Sequence, residues 1–423
     1  MFPVLWKKLS THPMPDADTQ FMRLALRLAR RGYGTTSPNP MVGAVLVQGK
    51  RIIGRGWHHR AGLPHAEIEA LRDAQRHGHD PRGATLYVTL EPCCTHGRTP
   101  PCTDAIKAAG IKRIVVGAID PNPQHSGRAF KILRNARKQV VHGVLAEECA
   151  ALNEAFNHWM VHRTPFVTVK AAMTLDGKIA TVSGESKWIT GERARAYGMH
   201  LRQGSDAILA GINTILADDP SLTFRPTKIG HRHCLLRRIV LDSMARTPLT
   251  AKVVSDEHAA LTTIVVSKSA PKQRIAALAR HVRVLIAPSV PNPHESTSIG
   301  GRFSLSSGER AGVRASVITS QDGKLGHYPQ IDLRWLLKKL GRENVTSLLV
   351  EGGGEVNASF LLGHHAHRVV FFYAPKIFGG RDARKAVAGE GVFSVDDALK
   401  LTDVEWGIVG QDLLLRARVA SDK

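Results

Sequence analysis

Three side chains that soft divalent metals favour lie close together in the chain: His65, Cys93 and Cys102. One imidazole and two thiolates are ligands of the kind zinc prefers, and three of them leave a fourth tetrahedral position for water. Glu67 follows the histidine by two residues, near enough to handle protons without joining the metal. Zinc lowers the pKa of its bound water to about 7, so hydroxide forms at neutral pH. Glu67 can then take the water proton, pass it to a ring nitrogen and finally protonate a departing amine. Cys94 stays outside this set, because adjacent cysteines rarely chelate one metal well. His96, between the two ligand cysteines, serves equally as a contact near the site or as an ordinary solvated loop histidine.

These residues need elements to hold them. Asp18 reads as the N-cap of a helix with Phe21, Leu24, Ala25 and Leu28 on one face, ended by Gly32. The two prolines of Thr36-Ser37-Pro38-Asn39-Pro40 forbid a helix and predict an extended loop. Val42 to Val47 and Arg51 to Trp57 predict a hairpin around Gln48-Gly49-Lys50. Pro64 opens a helix carrying His65, Glu67, Ile68 and Leu71 that stops near Gly78. A strand over 84–90 delivers Cys93 to the next turn, a helix runs from Cys102 to Ala109, and Ile111 to Ala118 is a buried strand. A helix over 128–138, a strand over 139–145 and a helix over 146–162 complete the unit. Alternating strands and helices predict an α/β layer with much parallel pairing. Both metal-binding elements then lie at helix starts on one edge of the sheet, where positive helix ends face the hydroxide. The order His-x-Glu, then Pro-Cys and a second Cys, follows the pattern of zinc-dependent base deaminases. It departs in the gap between the cysteines, Cys94 to Pro101, which replaces the usual two residues.

Around Arg163-Thr164-Pro165 the pattern restarts, which divides the chain into residues 1–163 and 164–423. Strands are expected at Phe166 to Met173, Ala207 to Gly211, Arg238 to Asp242, Thr263 to Ser267 and Val282 to Ile286. Further on come a helix over 331–340, a strand over 347–351, a helix over 355–362, and strands over 368–374 and 412–419. Residues 288–326 are rich in Ser, Gly and Pro with little periodicity and read as a long mobile surface loop. Val350-Glu351-Gly352-Gly353-Gly354 falls between a strand and a helix, where backbone amides can bind a phosphate or simply make a tight turn.

The composition fits these two units. At 423 residues, 43% hydrophobic and 22% charged, the chain holds two or three globular domains. The formal charge of +22 is spread evenly: 22 Lys/Arg face 12 Asp/Glu in residues 1–160, and 36 face 24 in the remainder. With no basic tail and only 5% aromatics, this reads as a solvated surface that also steers small phosphorylated ligands, and not as a nucleic-acid groove. Five cysteines, three of them crowded together, suggest a reducing, cytoplasmic setting; no apolar run reaches membrane-spanning length.

Longer stretches carry a resemblance. Ser37-Pro38-Asn39-Pro40-Met41-Val42-Gly43, Pro64-His65-Ala66-Glu67 and Glu91-Pro92-Cys93…His96-Gly97-Arg98-Thr99-Pro100-Pro101-Cys102 resemble the riboflavin-biosynthesis bifunctional deaminase/reductase family, whose cysteine gap this is. So do Lys170-Ala171-Ala172-Met173-Thr174-Leu175-Asp176-Gly177-Lys178, Ser183 to Thr190, Asn213 to Pro220 and Glu351-Gly352-Gly353. The resemblance implies a cytidine-deaminase-like α/β/α layer domain followed by a dihydrofolate-reductase-like α/β domain. It implies zinc-dependent deamination of 2,5-diamino-6-ribosylamino-4(3H)-pyrimidinone 5′-phosphate, then NADPH reduction of its ribosyl group to ribityl. His65, Cys93 and Cys102 match the metal ligands and Glu67 the proton shuttle. Ala172, Trp188, Thr214, Asp218 and the run Gly353, Gly354, Glu355, Val356, Asn357, Ala358 and Ser359 match NADP-contacting positions. Ser186, Arg202, Leu222, Arg225 and Glu351 match substrate-contacting positions, with Arg202 and Arg225 as a clamp on the phosphate. A homo-oligomer is compatible with this reading. The competing reading is a nucleic-acid base deaminase with a C-terminal binding module.

Overall fold

The computed structural model describes residues 16–96, 100–123, 125–225, 236–288 and 331–420, with the backbone of 318–319 and 325–326. The chain divides into two compact units, Met1–Val161 and His162–Lys423.

The first unit runs α1 (Ala17–Ala29), β1 (Gly43–Gln48), β2 (Arg51–Trp57), α2 (Ala66–Arg76), β3 (Thr85–Leu90), α3 (Cys102–Ala108), β4 (Arg113–Ala118), α4 (Arg128–Asn135), β5 (Gln139–His142), α5 (Ala146–Leu152) and α6 (Glu154–His162). Its sheet has the order β2-β1-β3-β4-β5. The β1 pairings are antiparallel, while β3, β4 and β5 are mutually parallel. Side chains alternate across this sheet with the period of two that strands impose. Ala44, Leu46, Leu86, Val88, Ile114 and Val116 pack with α2, α3 and α4 on one face. Val45, Val47, Tyr87 and Val115 pack with α1 and Cys149 on the other. The result is three layers. Helix α2 lies flat on β2 because small residues meet there: a Cβ on Gly56 would stand 2.3 Å from both the Ala66 carbonyl and the Ala70 nitrogen.

Two expectations need correction. The cap of α1 is Asp16, whose carboxylate accepts the Thr19 N–H at 2.7 Å. Asp18 instead accepts both Arg113 guanidinium nitrogens, at 2.8 and 2.6 Å, and the Tyr87 hydroxyl, joining α1 to the sheet. The expected helix over 146–162 is two helices, α5 and α6, broken at buried Asn153. Its side chain accepts the Met41 N–H at 2.7 Å and donates to the Met41 carbonyl at 2.9 Å, pinning the proline-rich loop.

The second unit runs β6 (Phe166–Thr174), α7 (Glu192–Gln203), β7 (Ala207–Gly211), α8 (Ile212–Asp218), β8 (Arg237–Leu241), α9 (Lys252–Ser255), β9 (Thr262–Ser267), α10 (Lys272–Ala279), β10 (Arg283–Ala287), β11 (Ile318–Thr319), β12 (Leu325–Gly326), α11 (Leu333–Arg342), β13 (Ser347–Val350), α12 (Gly354–Leu361), β14 (Arg368–Ala374), β15 (Leu401–Val409) and β16 (Asp412–Val419). Nine strands form one sheet in the order β10-β9-β8-β7-β13-β6-β14-β16-β15. From β10 to β14 the pairing is parallel, and β16 and β15 add an antiparallel end. Ala207 and Leu209 belong to the core on one side of this sheet, Ile208 and Ala210 to that on the other.

The sequence reading contains no strand at β15, although Val404, Trp406 and Ile408 alternate there. Of the expected loop 288–326, only residue 288 and the short antiparallel pair β11–β12 lie within the described residues. Among the described residues, no helix is long and apolar enough to cross a membrane.

Candidate active sites

His65 is the N-cap of α2 and Cys102 the first residue of α3, while Cys93 occupies the turn after β3. The three elements converge. The His65 Nδ1 lies 3.5 Å from the Cys93 Sγ and 3.3 Å from the Cys102 Sγ, and all three donor atoms lie within 4.8 Å of one another. Cys93 Sγ also accepts the Cys102 backbone N–H at 3.2 Å. Hydrogen bonding from Cys102 pulls the Cys93 thiol down to about 4, whereas Cys102 itself is pushed up, chiefly by its bond to Cys93. Neutral or anionic nitrogen and sulfur donors in this number suit zinc and leave one position open.

Glu67 sits in the first turn of α2, beside the donor cluster, and is only 3% exposed. Burial raises its carboxyl from the ordinary value to about 7. A carboxyl so poised can both accept and return a proton near neutrality. Beside it, the rings of His58 and His65 meet edge-on at 5.3 Å. The Pro64 carbonyl can only accept, so His58 Nδ1 donates to it at 3.0 Å and Nε2 receives the Asn39 amide at 3.1 Å. Burial keeps that imidazole neutral by lowering its pKa. Cys94 turns the other way, with its Sγ 3.8 Å from His125 Nδ1. Asp120 is half-buried nearby, and burial raises its pKa, with the charge of Cys93 contributing. His58, Asp120 and His125 are absent from the sequence-stated candidates because they come from loops with no diagnostic spacing. Gly97, Arg98 and Thr99 of the quoted motif lie outside the described residues.

The second site gathers at the carboxyl ends of β6, β7 and β13, where parallel sheets place their ligands. Glu351 follows β13, and its N–H donates to the Leu209 carbonyl of β7 at 2.9 Å. Its carboxylate accepts Arg202 Nε and Nη2, each at 2.9 Å, and Lys170 Nζ lies 3.6 Å away. Burial would push Glu351 up, but the charges of Arg202 and Lys170 outweigh it and hold the carboxyl down to about 2. Arg202 Nη1 donates to the Thr223 carbonyl at 2.9 Å, so this guanidinium is engaged on every nitrogen. Of the two residues expected to clamp the phosphate, Arg202 thus ties Glu351 to the loop after α8, while Arg225 is exposed. Leu222 is buried, with a left-handed backbone at φ 50°.

Helix α8 carries both Thr214 and Asp218. The Asp218 carboxylate accepts the Ser186 hydroxyl at 3.1 Å, and Lys187 Nζ is 3.9 Å from it. Trp188 is exposed, with the Arg195 guanidinium 4.7 Å from its ring centre. Ala172 lies on β6 opposite Phe372 of β14. Gly353 is the N-cap of α12, whose first N–H groups have no partner within the helix. Gly354 must be glycine, since a Cβ there would stand 2.3 Å from the Lys385 carbonyl. Asn357 is buried and donates to the Ala386 carbonyl at 2.8 Å, and Ala358 is buried as well. Their side chains face the protein, which leaves only backbone for a ligand. Glu355 and Val356 are half-buried, and the Ser359 hydroxyl donates to the Glu355 carbonyl at 2.8 Å.

Residues 15–118 match the family of the cytidine and deoxycytidylate deaminase zinc-binding region, and residues 165–415 match the RibD C-terminal domain. The riboflavin biosynthesis protein RibD of Actinobacillus pleuropneumoniae is 40% identical over 94% of either chain. The chain belongs to the RibD family. The Escherichia coli RibD is 37% identical over 94% of this chain and 98% of its own. Among solved structures, a diaminohydroxyphosphoribosylaminopyrimidine deaminase/5-amino-6-(5-phosphoribosylamino)uracil reductase from Thermotoga maritima is 35% identical, with a TM-score of 0.75 over 95% of this chain and 99% of that one. This RibD-family chain joins a deaminase-like unit carrying the zinc-type donor cluster to a reductase-type unit, in that order.

Proposed function

We propose that the two units catalyse consecutive steps of riboflavin biosynthesis. The first deaminates 2,5-diamino-6-ribosylamino-4(3H)-pyrimidinone 5′-phosphate. The second reduces the ribosyl group of the product with NADPH, giving 5-amino-6-(5-phosphoribitylamino)uracil. The observation that carries this reading is a buried carboxyl, Glu67, beside three convergent metal donors in a RibD-family chain.

His65, Cys93 and Cys102 would hold zinc. When bound, the metal supplies the Lewis acidity that makes a water nucleophilic at neutral pH. Glu67 takes a proton from the attacking water at a carboxylate oxygen and gives it to the ring nitrogen, then takes the remaining proton of the added hydroxyl and gives it to the amine as the C–N bond breaks, the carbonyl forms and ammonia departs. Its burial keeps competing water away from that exchange.

In the second unit a bound NADPH supplies hydride. The N–H groups opening α12 suit its phosphates, and Thr214 Oγ1 is near, 3.9 Å from where a Cβ on Gly353 would stand; Asp218, Trp188 and Ala172 are the other residues we assign to the cofactor. Glu351, kept ionised by Arg202 and Lys170, offers acceptors to the sugar hydroxyls, and Ser186 lies on the same side of Asp218. Arg225 is the partner for the substrate phosphate. The thiolate chemistry of the first site belongs in a reducing compartment, which supports a cytoplasmic location. An exposed apolar edge at β15 supports a homo-oligomer.

Crossed assays test the division of labour. Glu67→Gln cannot shuttle a proton, so ammonia release should fall at least ~10²-fold, while the already deaminated substrate still consumes NADPH at the normal rate. Arg225→Ala should do the reverse, sparing ammonia release and weakening reduction. Loss of reduction in Glu67→Gln, with zinc and folding intact, would sink the two-site reading.

A further inference from the structure

Glu91 opens the turn that delivers Cys93, yet it is only 5% exposed. Its carboxylate accepts three backbone N–H groups: Oε2 from Asp120 at 3.2 Å and from Gly127 at 2.9 Å, and Oε1 from Ala129 at 3.0 Å. Its own N–H donates to the Ala118 carbonyl at 2.9 Å. Charge-assisted bonds of this kind let a carboxylate remain buried. All three donors belong to one stretch, from the end of β4 to the first turn of α4.

That stretch forms a wall beside the Cys93–Cys94 turn, with His125 Nδ1 3.8 Å from the Cys94 Sγ. Asp120 stands at its near end, where its carboxylate accepts the Asn122 N–H at 2.8 Å. His125 stands further along, against Cys94. Backbone turns carry the stretch toward its far end, with the Arg128 N–H donating to the His125 carbonyl at 2.8 Å, but the N-cap of α4 is Gly127, at φ 72° and without a capping side chain of its own. Glu91 supplies that cap across the turn, so one carboxylate holds the Cys93 turn and both ends of the wall together.

We propose that Glu91 is a positioning residue of the deamination site, which holds Asp120 beside the metal donors and thereby sets affinity for the pyrimidine substrate without setting affinity for the metal. The inference rests on the deaminase reading of the first unit. Replacing Glu91 by glutamine keeps its size but turns one of its two acceptor atoms into a donor. At least one of the three N–H groups then loses its partner, and the wall loosens.

The test uses the full chain loaded with zinc, unsubstituted and as Glu91→Gln, Asp120→Asn and the double variant. Glu91→Gln should keep its zinc and its reduction of the deaminated substrate. Its KM for the diamino substrate should rise about tenfold or more, with kcat within about threefold. Asp120→Asn should raise KM similarly, and the double variant should be no worse than the poorer single one, because both act through one group. An unchanged KM in Glu91→Gln with a lowered Tm overturns the proposal and leaves Glu91 a remote cap of α4. Zinc loss in Glu91→Gln, or additive losses in the double variant, overturn it too. Should Glu91→Gln not fold, Asp120→Asn decides alone: an unchanged KM there removes the group that Glu91 is said to position. Absence of ammonia release from the unsubstituted protein overturns the deaminase reading itself, and the proposal with it.

Discussion

Cys93 and Cys94 are neighbours in sequence but point to different partners, one into the donor cluster and one toward His125. Cys94→Ser should therefore retain about one zinc per chain, while Cys93→Ser and Cys102→Ser lose most of theirs, measured by metal analysis of purified protein. Loss of zinc from the Cys94 variant alone would show that the ligand set is wrong. The donors and Glu67 were legible in the sequence because their chemistry is local: a His-x-Glu at one helix start and a Cys at another. The environment that tunes Glu67 was not. Its pKa of about 7 comes from burial, which no spacing announces. Arg202 is a second case. Its residue type suggests a phosphate partner, and no spacing announces that the fold also joins it to Glu351 and Thr223.

Among the elements, β6 and β14 meet at a histidine whose charge the fold rejects. His367 Nδ1 accepts the Val167 N–H at 2.9 Å, and its ring stacks on Phe166 with centres 5.0 Å apart. Burial lowers its pKa from the ordinary 6.5 to about 4. The folded state thus binds this proton more weakly than the unfolded chain does. Its contribution to stability is complete above pH ~6.5 and is lost as pH falls toward ~4. Unfolding midpoints across that range should drop more steeply for the unsubstituted protein than for His367→Asn, whose amide oxygen can accept the same N–H without titrating. Parallel pH curves for the two proteins would contradict this. Most elements could be placed from periodicity, since buried strands such as Ala207–Gly211 are continuous apolar runs. The break at Asn153 could not, because its cause is the Met41 peptide far away in sequence.

At the scale of the molecule, the nine-stranded sheet ends on a strand whose outer edge pairs with no strand among the described residues. Trp406 and Ile408 of β15 are 63% and 77% exposed, and among the described residues β15 pairs only with β16. Open edges of this kind are templates for pairing with another chain. A second copy is the expected occupant: sedimentation should show an oligomer for the unsubstituted protein and a smaller species for Trp406→Lys with Ile408→Lys. An unchanged sedimentation coefficient would place any self-association elsewhere.

The two sheets also differ in when they can be finished. The five-stranded sheet takes every strand from the stretch ending at His142, whereas the nine-stranded one starts at Phe166 and still needs Asp412–Val419. During synthesis at roughly 5–20 residues per second, the first unit therefore has on the order of ten seconds or more to close before the second is complete. A ribosome paused late in the second unit should already carry a protease-resistant, zinc-binding fragment, and a protease-sensitive one would refute that order. The growing chain would acquire its metal chemistry before its redox chemistry exists.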